Sequence, residues 1–169
     1  MTERISKRVT TELVGDFVVF RIEMQVHRLW KGYKSFLVFR GSPKMLNKLE
    51  SELNSGLVAY DSKIEIWTHE FVQYWQSFES LREYALDPGA RHAPAMKWTN
   101  PITKERNAVW SWHEISVLCG DRSETVYHNM PATGLQKAGT LHSATGLCRN
   151  ATGRLEQTGN QGGIASVVQ

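Results

Sequence analysis

Residues 13–27 read LVGDFVVFRIEMQVH, and the fold turns on how these side chains divide between two faces. Alternate residues of a β-strand project to opposite sides of a sheet. On or near one parity stand Val14, Val18, Phe20, Ile22, Met24 and Val26; on the other stand Phe17, Val19, Arg21, Glu23 and Gln25. The first set is apolar and calls for a covering layer of helix. The second mixes bulky apolar groups with an Arg and a Glu near the strand's centre, so the two faces have different jobs.

Downstream, residues 30–54 carry a helical pattern interrupted at Gly41-Ser42-Pro43, where Ser42 is a cap and Pro43 suits a first turn. Met45, Leu46, Leu49 and Leu53 form its apolar stripe. GLVAY at 56–60 predicts a short strand, Asp61-Ser62-Lys63 a turn, and residues 64–76 a longer strand. On that strand Ile64, Ile66, Thr68, Val72 and Tyr74 share one side, and Trp67, His69, Phe71, Gln73 and Trp75 the other.

Ser77 is placed to cap the helix FESLREYAL, which Asp87-Pro88-Gly89 ends, and a short helix is expected near His92. The last strand, NAVWSWHEISVL at 107–118, sets Val109, Ser111, His113, Ile115 and Val117 against Trp110, Trp112, Glu114 and Ser116. Bulk on both parities predicts that both faces are covered.

Strand, helix, strand, strand, helix, strand is the ferredoxin-like βαββαβ order of an α+β fold, with helices on one face of an antiparallel sheet. The other face, assigned Phe17, Val19, Trp67, Phe71 and Trp75, is too apolar to stand in water. It is expected to pack on the sheet of a second copy, as a homodimer. The usual strand order then puts Arg21 and Glu23 between His69 and His113, a converging polar group inside apolar walls. A slip of one residue would exchange His113 for Trp112 and Glu114.

One domain is expected over residues 1–139. Residues 133–169 hold no aromatic side chain, so 140–169 reads as a low-complexity tail, disordered or draped over a partner. The formal charge of +3 comes from mixed signs, and the basic cluster Arg4, Lys7 and Arg8 is too small to predict a nucleic-acid partner. No apolar run is long enough to span a bilayer, so no membrane association is expected. With only Cys119 and Cys148 and no leader-like segment, the chain is expected to be reduced, soluble and cytoplasmic, leaving the Asn150 sequon unused.

Several phrases carry a resemblance: RVTTELVGDFVVFRIEMQVHRLWK, FVQYWQSFESLREYALDPGARHAPAMKW, WSWHEISV and VYHNMPATGLQKAG, in this order across residues 7–139. The chain resembles the small monooxygenase-like family that includes a fungal fumagillin-pathway monooxygenase and many bacterial proteins long labelled a domain of unknown function. That family belongs to the dimeric α+β barrel superfamily. The resemblance implies a dimeric barrel with an oxygenase or related small-molecule role, and it transfers no catalytic signature. Residues matching its recurrent phrases are Tyr74, Trp75, His92, Trp112, His113, Glu114, Asn129, Met130 and Pro131, whereas Met96 stands where an aromatic is common.

Three functions fit such a pocket. The first is monooxygenation of a small hydrophobic, aromatic or polyketide-like substrate with no cofactor. It needs a base to form a substrate carbanion, for which His113 and His69 are candidates, with Glu23 beside them and Arg21 to stabilise the oxyanion. The second is a haem enzyme like the aldoxime dehydratases or haem monooxygenases, with His92 or His113 on the iron and Arg21 or Arg91 at the propionates. The third is a non-catalytic dimer that binds a small ligand. A shared metal ion on His113 and Glu114 is excluded because strand neighbours face opposite ways. Arg21 and Glu23 also have the spacing of a plain ion pair within one strand, and His27 and His142 are expected to be solvated.

Overall fold

The computed structural model describes residues 4–13, 15–27, 56–65, 67–87 and 109–159. Its larger sheet contains β2 (Asp16–Val26), β3 (Leu57–Ile64), β4 (Thr68–Trp75) and β5 (Val109–Cys119). The spatial order is β3-β4-β2-β5, antiparallel throughout. The first and third of these four strands in sequence are therefore central, as the ferredoxin-like reading requires. The helical patterns expected over 30–54 and near His92 lie outside the described residues.

The phase of the sheet is fixed at one end by packing. Val18 stands opposite Trp75 on β4 and Val117 on β5. Helix α1 (Phe78–Leu86) follows β4 directly and lays Leu81 on Val18 and Trp75, with Phe20, Leu57 and Tyr84 around them. Ser77 caps it as expected, its hydroxyl accepting from the Ser80 backbone N–H at 3.1 Å. Trp75 is fully buried, and its indole N–H donates to Gln73 Oε1 at 3.0 Å, which satisfies the one polar atom its burial would strand.

That packing corrects the expected faces. Phe71 and Trp75 belong to the helix-covered side of the sheet, together with His69 and Gln73, and all four are buried. Trp75 is thus part of the subunit's own core and not of a bare sheet surface. Strand β5 departs from expectation too: from Trp110 to Cys119 every residue except Ser116 is exposed, so the described residues bury neither of its faces.

The hairpin between β3 and β4 closes later than the turn residues suggest. Asp61, Ser62 and Lys63 lie within β3, and the chain reverses only after Ile64, with the Glu65 N–H donating to the Thr68 carbonyl at 2.8 Å. Turn propensity is overridden because each polar side chain finds a partner with the strand extended. Ser62 meets His69 Nε2 at 3.3 Å, Lys63 pairs with Glu65 at 2.7 Å, and Asp61 receives donors from residues 133–137.

A second sheet, in the order β6-β1-β7, joins β1 (Arg4–Glu12), β6 (Tyr127–Pro131) and β7 (Thr140–Ser143). It runs across the expected boundary at 139: Val9 faces Ser143 and Glu12 faces Thr140. Helix α2 (Ala151–Gly159) continues the ordered chain, with Arg154 buried on Glu124 at 2.6 Å and on the carbonyls of Cys148 and Arg149 at 3.1 Å. Residues 140–159 are thus built into the fold by strand pairing and a half-buried ion pair, in place of the aromatic core their composition lacks. His142 is likewise not solvated but lies 3.0 Å from Glu12 with 11% of its side chain exposed.

Truncation of Trp75 to alanine should lower the unfolding free energy by about 3–5 kcal/mol, the range for a buried aromatic residue. Urea denaturation measures this; a loss under about 1 kcal/mol would remove Trp75 from the core.

Candidate functional site

Opposite the helix, the same alternation projects Phe17, Val19, Arg21, Glu23 and Gln25 from β2, as the sequence predicts. Their cross-strand partners complete the surface: Val72 and Glu114 flank Arg21, while Glu70 and Trp112 flank Glu23. Arg21 NH2 donates to Glu70 Oε1 at 2.7 Å, and NH1 stands 4.0 Å from Glu114 Oε2. The guanidinium carbon also lies 5.5 Å from the centre of the Trp112 ring, within cation–π range. Arg21 therefore bridges strands and does not form the ion pair with Glu23 that its spacing allowed. Glu23 instead accepts from Gln25 Nε2 at 2.6 Å.

Side-chain exposures of 46% for Arg21, 23% for Glu70 and 58% for Glu114 leave this cluster open to a ligand. The hydrogen bond to Glu70, with the charges of Glu70, Glu114 and Glu23, raises the Arg21 pKa and keeps the group cationic. Beyond it, Trp110 is half-exposed and stacks on His27 at 3.9 Å, extending the aromatic wall started by Trp112.

The β3 end of this face is closed by the 3-10 turn Gly134–Lys137. Asp61 holds that turn by accepting from the Gly134 N–H, the Thr133 hydroxyl and the Lys137 ammonium. Gly134 has φ +60°, and a Cβ there would sit 3.3 Å from the Tyr127 hydroxyl and 3.4 Å from that of Tyr74. Without a Cβ, its backbone packs closely over both hydroxyls. Burial, with Asp61 and Tyr127 nearby, pushes the Tyr74 pKa up to about 12. Burial also raises Tyr127, against the opposing pull of the Gln136 backbone N–H and the Thr125 side chain. Both phenols are held neutral.

The predicted site residues separate into two groups. Arg21 and Glu23 are on the open face. His69 stands opposite Met24 and His113 opposite Ile22, so both are on the helix-bearing side of the sheet. His69 is fully buried, ring-stacked at 4.1 Å on Phe71, and burial lowers its pKa. His113 is exposed on the edge strand, its ring centre 5.9 Å from that of Phe20. The one-residue exchange noted above is the arrangement found: Trp112 and Glu114, not His113, accompany Arg21. A haem held by His113 with Arg21 at its propionates does not fit, because the sheet stands between the two. His92 and Arg91 lie outside the described residues. Among the described residues no cluster of three His, Cys, Asp or Glu side chains is arranged to hold a metal ion, and no helix is long and apolar enough to cross a membrane.

Glu70 and Tyr127 were not anticipated as site residues. Strand parity identifies Glu70 once β4 is phased against β2, whereas Tyr127 comes to the site through a turn that no periodicity foretells.

A model of the monooxygenase af470-like family matches residues 17–135. No curated protein matches the chain. Among solved structures, the cofactor-independent oxygenase SnoaB from Streptomyces nogalater aligns at 16% identity and a TM-score of 0.42, over 60% of this chain and 91% of its own. A dimeric protein of unknown function and ferredoxin-like fold from Bacteroides fragilis aligns at 10% identity and a TM-score of 0.47, over 60% and 96%. An aldoxime dehydratase aligns at 14% identity and a TM-score of 0.53, over 80% of this chain and 39% of its own, a likeness of fold.

A phenol whose folded pKa is raised stabilises the fold fully below its unfolded value of 10.0 and loses that contribution as pH climbs toward about 12. Spectrophotometric titration of phenolate should therefore show late-titrating absorbance that falls by one phenol in Tyr74→Phe. Loss of that phenol's amplitude near pH 10.0 instead would place Tyr74 in water.

Proposed function

The chain belongs to the monooxygenase af470-like family, and we propose that it oxygenates a small aromatic or polyketide-like molecule bound over the open sheet face. The observation that carries this reading is Arg21, held by Glu70 at 2.7 Å beside a second carboxylate, Glu114, and against the Trp112 ring. A cation, a less engaged carboxylate and an aromatic platform within one patch are the parts that carbanion chemistry requires.

In the proposed reaction the substrate supplies an activated CH2 group beside an aromatic system. Glu114 takes one proton, and the developing negative charge spreads to a substrate oxygen that the remaining N–H groups of Arg21 hold. The carbanion transfers electrons to dioxygen, a carbon–oxygen bond forms, and a peroxide results. Loss of water from that peroxide breaks the oxygen–oxygen bond and leaves a carbonyl. CH2 and O2 become C=O and H2O, so the substrate is its own reductant.

Glu114 suits the base better than its neighbours because Glu70 is engaged with Arg21 at 2.7 Å, whereas Glu114 stands off at 4.0 Å. A second copy of the chain closes the face in this reading. Trp110 is 50% exposed, Trp112 41% and Leu118 37%, an apolar surface that a single subunit leaves in water. Closure by a partner also dries the space in which the carbanion meets oxygen.

Oxygen uptake with an anthrone-type probe tests the assignment. Glu114→Gln should lower kcat by about 10²-fold or more, as for loss of a general base, while His113→Ala stays within about threefold of the parent. The opposite ranking would return the chemistry to the helix-bearing side of the sheet.

A further inference from the structure

We infer that Glu23 is a specificity-determining residue that keeps anionic molecules off the face around Arg21, so that the substrate enters uncharged. The inference rests on the site proposed above and concerns which molecules it admits.

Among the described residues of β2 and of the β4 and β5 positions that flank it, the patch holds one cation, Arg21, and three carboxylates, Glu23, Glu70 and Glu114. Arg21 is already shared between Glu70 at 2.7 Å and Glu114 at 4.0 Å. Glu23 lies directly opposite Glu70 in strand register and beside Trp112, and it accepts from the neutral Gln25 at 2.6 Å, which leaves its charge uncancelled. Among the described residues, Lys63 stands opposite Glu70 on the side away from Glu23 and pairs with Glu65 at 2.7 Å, and Lys137 is held by Asp61, so neither reaches Glu23 as an ion pair. Like charges opposite one another weaken a sheet, so this pair is not there for stability. A molecule arriving with its own carboxylate adds a fourth negative charge beside Trp112 and is repelled by the three already there. A neutral carbon acid does not: when Glu114 takes its proton, negative charge moves from protein to substrate and the total stays the same. The patch therefore tolerates an anion made in place and resists one brought from solution.

The test is quenching of tryptophan fluorescence by two probes of the same shape, naphthol and hydroxynaphthoate. The wild-type chain should bind naphthol about tenfold more tightly. Added salt should strengthen hydroxynaphthoate binding, since screening weakens repulsion, and leave naphthol unaffected. Glu23→Gln, which relieves the opposition to Glu70, should bring the two probes to within about threefold, mainly by improving the carboxylate. Equal affinities in the wild-type chain, or a preference for naphthol that neither salt nor Glu23→Gln reduces, would overturn the inference while leaving the site in place. Failure of both probes to bind would remove the site, and the inference with it.

Discussion

The contact of Val18 with Trp75 and Leu81 sets the phase of the whole sheet. A strand has a side-chain period of two, so once Val18 is committed beneath α1, Phe20, Ile22 and Met24 follow it inward, and Arg21 and Glu23 must point the other way. Register across β4 and β5 carries the same decision outward. It hides His69, Phe71 and Gln73 with Trp75, and it leaves Glu70, Trp112 and Glu114 beside Arg21. A slip of one residue in any of these pairings would turn the polar set into the core.

On the open face, charge and shape act together. Glu23 opposite Glu70 is an arrangement a purely structural sheet avoids, and Arg21 offsets part of it by bridging to Glu70 and Glu114. Exposed pairs of this kind contribute little to stability, so their value lies in where they hold a guanidinium. At the other end, Asp61 pins the turn that packs over the hydroxyls of Tyr127 and Tyr74, and the face is bounded there by two neutral phenols. Local rules broken without gain to the fold are the expected mark of a working surface.

Much of this was legible in the residues alone. The two parities of β2, the Ser77 cap, the antiparallel order of the four sheet strands and the membership of Arg21 and Glu23 in the open face all follow from local chemistry. The phase of β4 against β2 did not, because Asp61-Ser62-Lys63 imitates a turn whereas β3 runs on to Ile64, and that displacement put His69 on the wrong side of the sheet. The phase of β5 did not either, because Trp110 and Trp112 on one parity and Ile115 and Val117 on the other are both bulky, so periodicity alone did not place His113. β1 was masked by its basic residues, although Val9, Thr10 and Thr11 are buried. Residues 140–159 were masked by a composition poor in aromatics, since strand pairing and the Arg154–Glu124 pair leave no trace in hydropathy.

Which side of the sheet receives the substrate decides the rest. A crystal structure of the chain soaked with an electron-rich polycyclic ketone addresses it directly. The account predicts the ring system against Trp112 with its oxygen toward Arg21. Ordered ligand on the helix-bearing side, beside His113 and Phe20, would contradict it.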